Sequence, residues 1–444
     1  MVDRRSLLAI SLAGAAVHSL APVLAADRSR LTAPFPSGFL WGAATAAYQV
    51  EGNNVNSDVW ALEHMEPTSF AEVSGDAANS FALWRVDLEL VKALGLNTYR
   101  FSLEWSRIEP APGQFSVAML DHYRAMIAGC RALGLVPVVT FNHFTTPIWF
   151  ASQGGWANPE APALFARYCR RAAEHLAEHI GHALTLNEPN LVGMLEVALP
   201  GGRGERLIVA DRAMAAAAAR LYGVPLFLSG NPVYVPDRVA VQTHLLAGHA
   251  AGREAIKAVR PDLAVGVSLA MSDDHAAEGG SEMRDTIRAQ LYDPWLQAAR
   301  GDDFLGVQNY YRAIWGAGGK LPAPEGAVLN AGGAEIYPSS LANAVRYAHS
   351  RCPQPIFVTE HGTDVTDDAQ RAWLIPAALR ELQAVLAEGI PLLGYIHWSL
   401  IDNFEWFQGY KPHYGLCSVD RTTFARTPRP SAGVLGAIAR ANAV

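Results

Sequence analysis

The residues best suited to chemistry in this chain are carboxylates, amides and indoles, gathered where short apolar runs end. Gln49 and Glu51, Arg100 with Glu104 and Trp105, Asn142-His143, Asn187-Glu188 and Asn309-Tyr310-Tyr311 lie at such ends. So do Glu360-His361, and Trp398 followed by Asp402-Asn403-Phe404-Glu405-Trp406. Amides and carboxylates hydrogen-bond hydroxyl groups, and flat aromatic rings pack on the apolar faces of sugar rings. Glycine loops that grip phosphate are absent, so the pattern fits a polyhydroxylated ligand rather than a nucleotide. Glu188 and Glu360 supply the carboxylate pair that cleavage of a glycosidic bond requires, one attacking the anomeric carbon and one protonating the departing oxygen. A single glutamate at such a place is equally well read as the partner of Arg100. Two bridged glutamates would leave the surrounding amides and indoles unexplained.

Eight short β-rich runs must position these groups: Phe39–Tyr48, Leu96–Leu103, Leu135–Asn142, His182–Asn187, Leu263–Ala270, Phe304–Tyr310, Pro355–Glu360 and Pro391–Trp398. Several are apolar on both faces, as Val136-Pro137-Val138-Val139-Thr140-Phe141 is, which suits strands of a parallel sheet covered on both sides. Amphipathic stretches separate them, for example Asp87–Leu94 closed by Gly95. Eight alternations predict an α/β fold, a single (β/α)8 TIM barrel with its site at the carboxyl ends of the strands. An open doubly wound sheet is the alternative, but no G-x-G-x-x-G follows the first run.

The 444 residues include 35 Lys and Arg against 42 Asp and Glu, a net charge of −7 that gives no field for a nucleic-acid backbone. Half the residues are hydrophobic, so most of the chain is long and apolar enough to fold around a core. Asp3-Arg4-Arg5-Ser6-Leu7-Leu8, an apolar run through Val17 and the small residues Val23-Leu24-Ala25-Ala26 read as an export signal over residues 1–26. The paired arginines suggest the twin-arginine route, although they would also serve as the positive start of a Sec signal. Either reading places the protein in the periplasm or secreted, with no membrane association once the signal is removed. Residues 27–444 then form the catalytic domain. Cys130, Cys169, Cys352 and Cys417 form no C-x-x-C pair, which leaves buried thiols or one structural disulfide. No H-E-x-x-H spacing occurs among the histidines, so neither a metal nor a cofactor is expected.

Four long segments carry a family resemblance: Phe39-Leu40-Trp41-Gly42-Ala43-Ala44-Thr45-Ala46-Ala47-Tyr48-Gln49-Val50-Glu51-Gly52, Tyr99–Ser102 with Trp105–Ile108, Thr185-Leu186-Asn187-Glu188-Pro189, and Trp398–Trp406. They resemble the signatures of glycoside hydrolase family 1, the β-glucosidase family, in the right order. The resemblance implies a retaining exo-β-glycosidase with Glu188 as acid/base and Glu360 of Val358-Thr359-Glu360-His361-Gly362 as nucleophile. It implies that Gln49, His143, Asn187, Glu405 and Trp406 bind the non-reducing sugar and that Trp398 floors it. Arg100 and Tyr311 would orient Glu360 and depress its pKa, while Glu188 stays protonated in a more apolar setting. Glu405 implies an unphosphorylated β-glucoside, with β-galactosides or β-fucosides as further substrates.

Departures from that pattern are also legible. His361 stands where the family usually has Asn, a titratable neighbour expected to shift the pH optimum, and Phe144 stands where it usually has Trp. The stretch from Arg203 to Pro236 does not resemble the family and contains the helix former Ala213–Arg220, and Asp293–Phe304 looks short. Two further readings share the scaffold: a transglycosylase that uses an alcohol in place of water, and a sugar-binding barrel without catalysis.

Overall fold

The computed structural model describes residues 34–192 and 203–444. The proposed export signal, residues 1–26, lies outside the described residues. Eight parallel strands close into a barrel: β1 (Leu40–Ala44), β2 (Thr98–Ser102), β3 (Val136–Asn142), β4 (His182–Asn187) and β5 (Ala264–Ala270), then β7 (Phe304–Asn309), β10 (Ile356–His361) and β11 (Leu392–Trp398). Around the ring each strand pairs with its barrel neighbours in chain order, and β11 pairs back onto β1. Beside the barrel, β6 (Asp273–Ala276), β8 (Arg312–Gly316) and β9 (Gly319–Leu321) form a small separate sheet. The (β/α)8 reading of the sequence therefore holds, with all eight runs in place.

The first strand is shorter than the Phe39–Tyr48 run predicts. The strand ends at Ala44 and residues Ala47–Glu51 form a helical turn instead. The Ala47 N–H donates to Ser102 Oγ at 2.8 Å, which turns the chain across the end of β2 and brings Gln49 inward over the barrel. Alanine-rich sequence offers little resistance to such a turn.

Two layers of apolar side chains hold the barrel. Inside it, Leu40, Val138, Leu184, Phe304, Phe357 and Ile396 form a cluster of their own. His182 of β4 meets Phe357 of β10 edge to face with centroids 5.5 Å apart, a contact only the barrel interior allows because these strands are not neighbours. Outside, the strands pack on helices such as Ala161–Leu176, whose buried Phe165, Tyr168, Cys169, Ala172 and Leu176 recur at helical spacing. All four cysteines are buried and unpaired, which settles them as small core hydrophobes.

The atypical stretch begins with a helix, Arg203–Tyr222, containing the predicted alanine run. Its Met214 and Ala218 pack on Ala61, Leu62, Ala151 and Phe227, so this segment leans on the loop side of the barrel. Between Asp293 and Phe304 two brief helical turns, Asp293–Ala298 and Ala299–Gly301, lead directly into β7.

Candidate active site

Polar side chains replace apolar ones where the strands end. Arg100 of β2 is fully buried and lies at the centre of the replacement. Its guanidinium donates to Glu360 Oε1 at 2.5 Å, to Asn187 Oδ1 at 2.6 Å, to Thr140 Oγ1 at 3.1 Å and to the Thr359 carbonyl at 3.2 Å. One cation thus ties the end of β10 to the end of β4. Asn187 Oδ1 also accepts from Gln308 Nε2 at 3.0 Å and Ser268 Oγ at 3.3 Å. With its oxygen engaged, the amide of Asn187 turns its nitrogen toward His143 Nε2, 3.3 Å away.

Both glutamates sit where the ladder is irregular. The β10 register shifts between Val358 and Glu360 against β7, and the β4 register shifts between Leu184 and Asn187 against β5. Such bulges re-aim the side chains that follow them. Glu188 then takes a left-handed conformation, φ 45° and ψ 47°, held by its N–H donating to the Ser268 carbonyl at 2.8 Å and followed by Pro189. A non-glycine residue in that region costs on the order of 1–3 kcal/mol and is found where function sets the geometry.

The two carboxyl groups differ in electrostatic setting. Burial pushes Glu188 well above the ordinary carboxylate range, and the negative charge of Glu360 pushes it further, with Arg100 the opposing influence. Burial also raises Glu360, but Arg100 beside it and hydrogen bonds from Tyr310, Arg100 and Gln308 pull it back. The expected depression of Glu360 is therefore corrected: Arg100 acts in the expected sense, yet dehydration outweighs it. What survives is the order, with Glu188 holding its proton more firmly than Glu360.

Tyr311 does not orient Glu360. The hydroxyl that donates to Glu360 Oε2, at 2.5 Å, belongs to Tyr310. Tyr311 turns away, its ring 4.4 Å beneath the Lys320 ammonium. Alternation along β7 explains the exchange: residues two apart share a face, so Tyr310 follows Gln308 inward and Tyr311 points elsewhere. That period-two signal was present in the sequence, as was Gln308 itself. His361 also departs from expectation. Burial pushes it down to about 3, which keeps the imidazole neutral at pH values well above that. Its Nδ1 lies 2.9 Å from the Tyr395 hydroxyl.

The six residues expected to hold the sugar gather at the same mouth. His143 lies parallel to Trp398 with centroids 5.7 Å apart and to Trp406 at 6.4 Å, and Trp406 stacks on Tyr48 at 6.0 Å. Trp398 Nε1 donates to Glu405 Oε1 at 3.2 Å. Gln49 gives its amide hydrogens to Asn403 Oδ1 at 2.9 Å and the Phe404 carbonyl at 2.8 Å, a clamp the sequence reading missed. Among the described residues its Oε1 is buried without a partner, as are His143 Nδ1 and Gln308 Oε1. An unmet buried polar atom costs roughly 1–3 kcal/mol, so a mouth with several is built to receive hydrogen bonds from a ligand. Burial pushes Glu405 up to about 8, with Glu360, Asp364 and Asp402 adding to the negative field there.

Comparison with known proteins agrees with the barrel fold. The sequence model of glycosyl hydrolase family 1 matches residues 31–292 and 329–444, and so includes the stretch from Arg203 to Pro236 that looked foreign. The unmatched part contains β7 with Gln308 and Tyr310. A β-glucosidase of Agrobacterium sp. (strain ATCC 21400) is 28% identical over 93% of this chain and 97% of its own length. β-Glucosidase A of Thermotoga maritima is 28% identical over 89% of this chain and 96% of its own. Among solved structures, the β-glycosidase BGL167 is 48% identical with a TM-score of 0.88, covering 93% of this chain and 98% of its own. The apo β-glucosidase 1317 is 40% identical with a TM-score of 0.86, covering 91% and 98%.

Proposed function

The chain belongs to glycosyl hydrolase family 1 and is a glycoside hydrolase, and from that premise we propose a retaining exo-β-glycosidase acting on unphosphorylated β-glucosides, with β-galactosides or β-fucosides as further substrates. The observation that carries this reading is the unequal setting of two strand-end carboxyls close enough to feel each other's charge, Glu188 raised further than Glu360. Glu360, oriented by Arg100 and Tyr310, attacks the anomeric carbon as Glu188 gives its proton to the departing oxygen. Glu188, now a carboxylate, then takes a proton from the water that attacks the glycosyl-enzyme, and Glu360 is released. Asn187 holds the 2-hydroxyl, Gln49 and Glu405 the outer hydroxyls, His143 and Trp406 the same rim, and Trp398 the floor. The acidic surroundings of Glu405 argue against a phosphorylated sugar, whose dianion they would repel. Export to the periplasm or beyond, through the residue 1–26 signal, belongs to the same reading.

The Glu188→Ala variant tests the double role. A phenolate leaving group needs no acid, so the glycosyl-enzyme should form and accumulate. A poor alcohol leaving group should lose roughly 10²–10⁴-fold in its first step. Azide, which needs no base, should restore turnover of the activated substrate and yield a β-glycosyl azide. A 2-fluoro glycoside should label Glu360, as read by mass spectrometry of the peptide. Equal loss on both leaving-group classes without azide rescue, or a label elsewhere, would overturn the roles.

A further inference from the structure

A small cavity lies against the sugar-binding wall on the side where the atypical stretch arrives. Phe144 and Trp406 line one side, while Asp211 and Met214 of the Arg203–Tyr222 helix and Ser229 and Asn231 of the segment after it line the other. Its volume, about 30 Å³, exceeds the roughly 10–15 Å³ that one water needs and is far too small for a second sugar ring. It suits one hydroxyl or hydroxymethyl group, or one or two waters.

The segment is fixed in this place. The Gly230 N–H donates to Asp58 Oδ2 at 2.7 Å, and the same carboxylate accepts from Thr146 Oγ1 at 2.9 Å, two residues beyond Phe144. Gly230 lies so close to the loop that a Cβ there would fall 1.9 Å from the Phe144 carbonyl oxygen. Asp211 accepts from the backbone N–H groups of Val233 and Tyr234 at 2.9 and 2.7 Å, which pins the chain on the far side of Asn231. Both of these bonds fall on Oδ2 of the Asp211 carboxylate. The Ser229 hydroxyl and the Asn231 amide, by contrast, make no hydrogen bond among the described residues, although both line the cavity and Ser229 is only 8% exposed. The rest of the lining is largely apolar, including Val59, Leu62, Phe70 and Phe407. Ser229 is buried and Asn231 only partly so, and both present unengaged polar atoms to a largely apolar recess beside the Trp406 indole.

We propose that Asn231, supported by Ser229, is a specificity-determining contact for an outer hydroxyl or the hydroxymethyl group of the terminal sugar, reached past Phe144 and Trp406 directly or through one water. The inference rests on the sugar-site reading above and extends it to residues outside the four segments that carry the sequence resemblance. An amide and a hydroxyl both donate and accept, so the pair serves equatorial and axial hydroxyls alike, whereas a bulky substituent on that position would not fit the recess.

The test is steady-state kinetics of Asn231→Ala, Asn231→Leu and Ser229→Ala on aryl β-glucoside and on its 3-, 4- and 6-deoxy analogues. Asn231→Leu keeps the branched shape and fills the site while removing the hydrogen bond, so beside Asn231→Ala it separates contact from packing. Both Asn231 variants should lower kcat/KM on the glucoside by about tenfold, the size of one hydrogen bond. On the one deoxy sugar that lacks the contacted hydroxyl, the loss should shrink to within about twofold of wild type. A loss equal on all four substrates, or none on the glucoside, overturns the proposal. Should wild-type enzyme cleave no β-glycoside at all, both the sugar-site reading and this extension fall. With wild-type cleavage and azide rescue of Glu188→Ala intact, a null result at Asn231 overturns the extension alone.

Discussion

Arg100 shows how few residues carry the electrostatics of the site. Its charge opposes the dehydration of both glutamates, but it touches only Glu360, and that asymmetry of contact separates their protons. Tyr310 adds to the asymmetry on the other carboxylate oxygen of Glu360. Removing that donor in Tyr310→Phe favours the protonated form of Glu360, so its pKa rises. The acid limb of kcat/KM should move toward higher pH by about one unit, the equivalent of a charge-assisted hydrogen bond worth roughly 1.4 kcal/mol, and kcat should fall. Tyr311→Phe should leave that limb in place. Matching pH profiles for the two variants would contradict the assignment of the contact to Tyr310.

At the scale of elements, the loop after β3 that presents His143 and Phe144 is held from two sides. Asp58 grips Thr146, and Glu104, at the start of the Trp105–Ile108 turn, accepts from Thr145 Oγ1 at 2.9 Å and from Ser106 Oγ at 2.8 Å. Among the described residues Glu104 forms no ion pair, and the nearest cation, Arg107, pairs instead with Glu51 at 2.8 Å. Burial first, and the nearby Glu51 second, push Glu104 up to about 7. A carboxyl raised in the folded state binds its proton more tightly there than when unfolded. Its contribution is therefore fully present below about pH 4.5 and is lost as pH rises through about 7. Glu104→Gln keeps the shape of the contact without the titration. Between pH 5 and 8 wild type should lose stability relative to this variant, by up to about 3 kcal/mol. Denaturant melts at several pH values measure it, and a constant difference between the two proteins would show that Glu104 does not titrate in this window.

For the whole molecule, the closed barrel turns eight distant strand ends into one mouth, which is why a sequence separation of 172 does not keep Glu188 and Glu360 apart. The same mouth accepts the atypical stretch, whose helix packs on Leu62 while its following turn abuts Phe144. The leading segment is a separate matter of address. If residues 1–26 direct twin-arginine export, changing both Arg4 and Arg5 to Lys should trap the precursor inside the cell. The wild-type mature terminus should then fall between Ala25 and Asp27. Continued export of the double Lys variant would point to the Sec route.

Sequence alone determined the eight strands, their order and the polar residues at their ends, because strand alternation and apolar content are local properties that a one-dimensional reading captures. The pair Glu188 and Glu360 was legible for the same reason: both close such runs. Only the tertiary structure decided which of two adjacent tyrosines reaches Glu360, since one residue of register sends a side chain to the opposite face. Tertiary structure also set burial, which raised both glutamates where a count of neighbouring charges predicted one lowered, and which kept His361 neutral. Likewise, no spacing in the sequence brings Asn231 to Trp406, 175 positions away. That approach depends on Asp58, Gly230 and Phe144 closing on one another, contacts that exist only after the chain has folded.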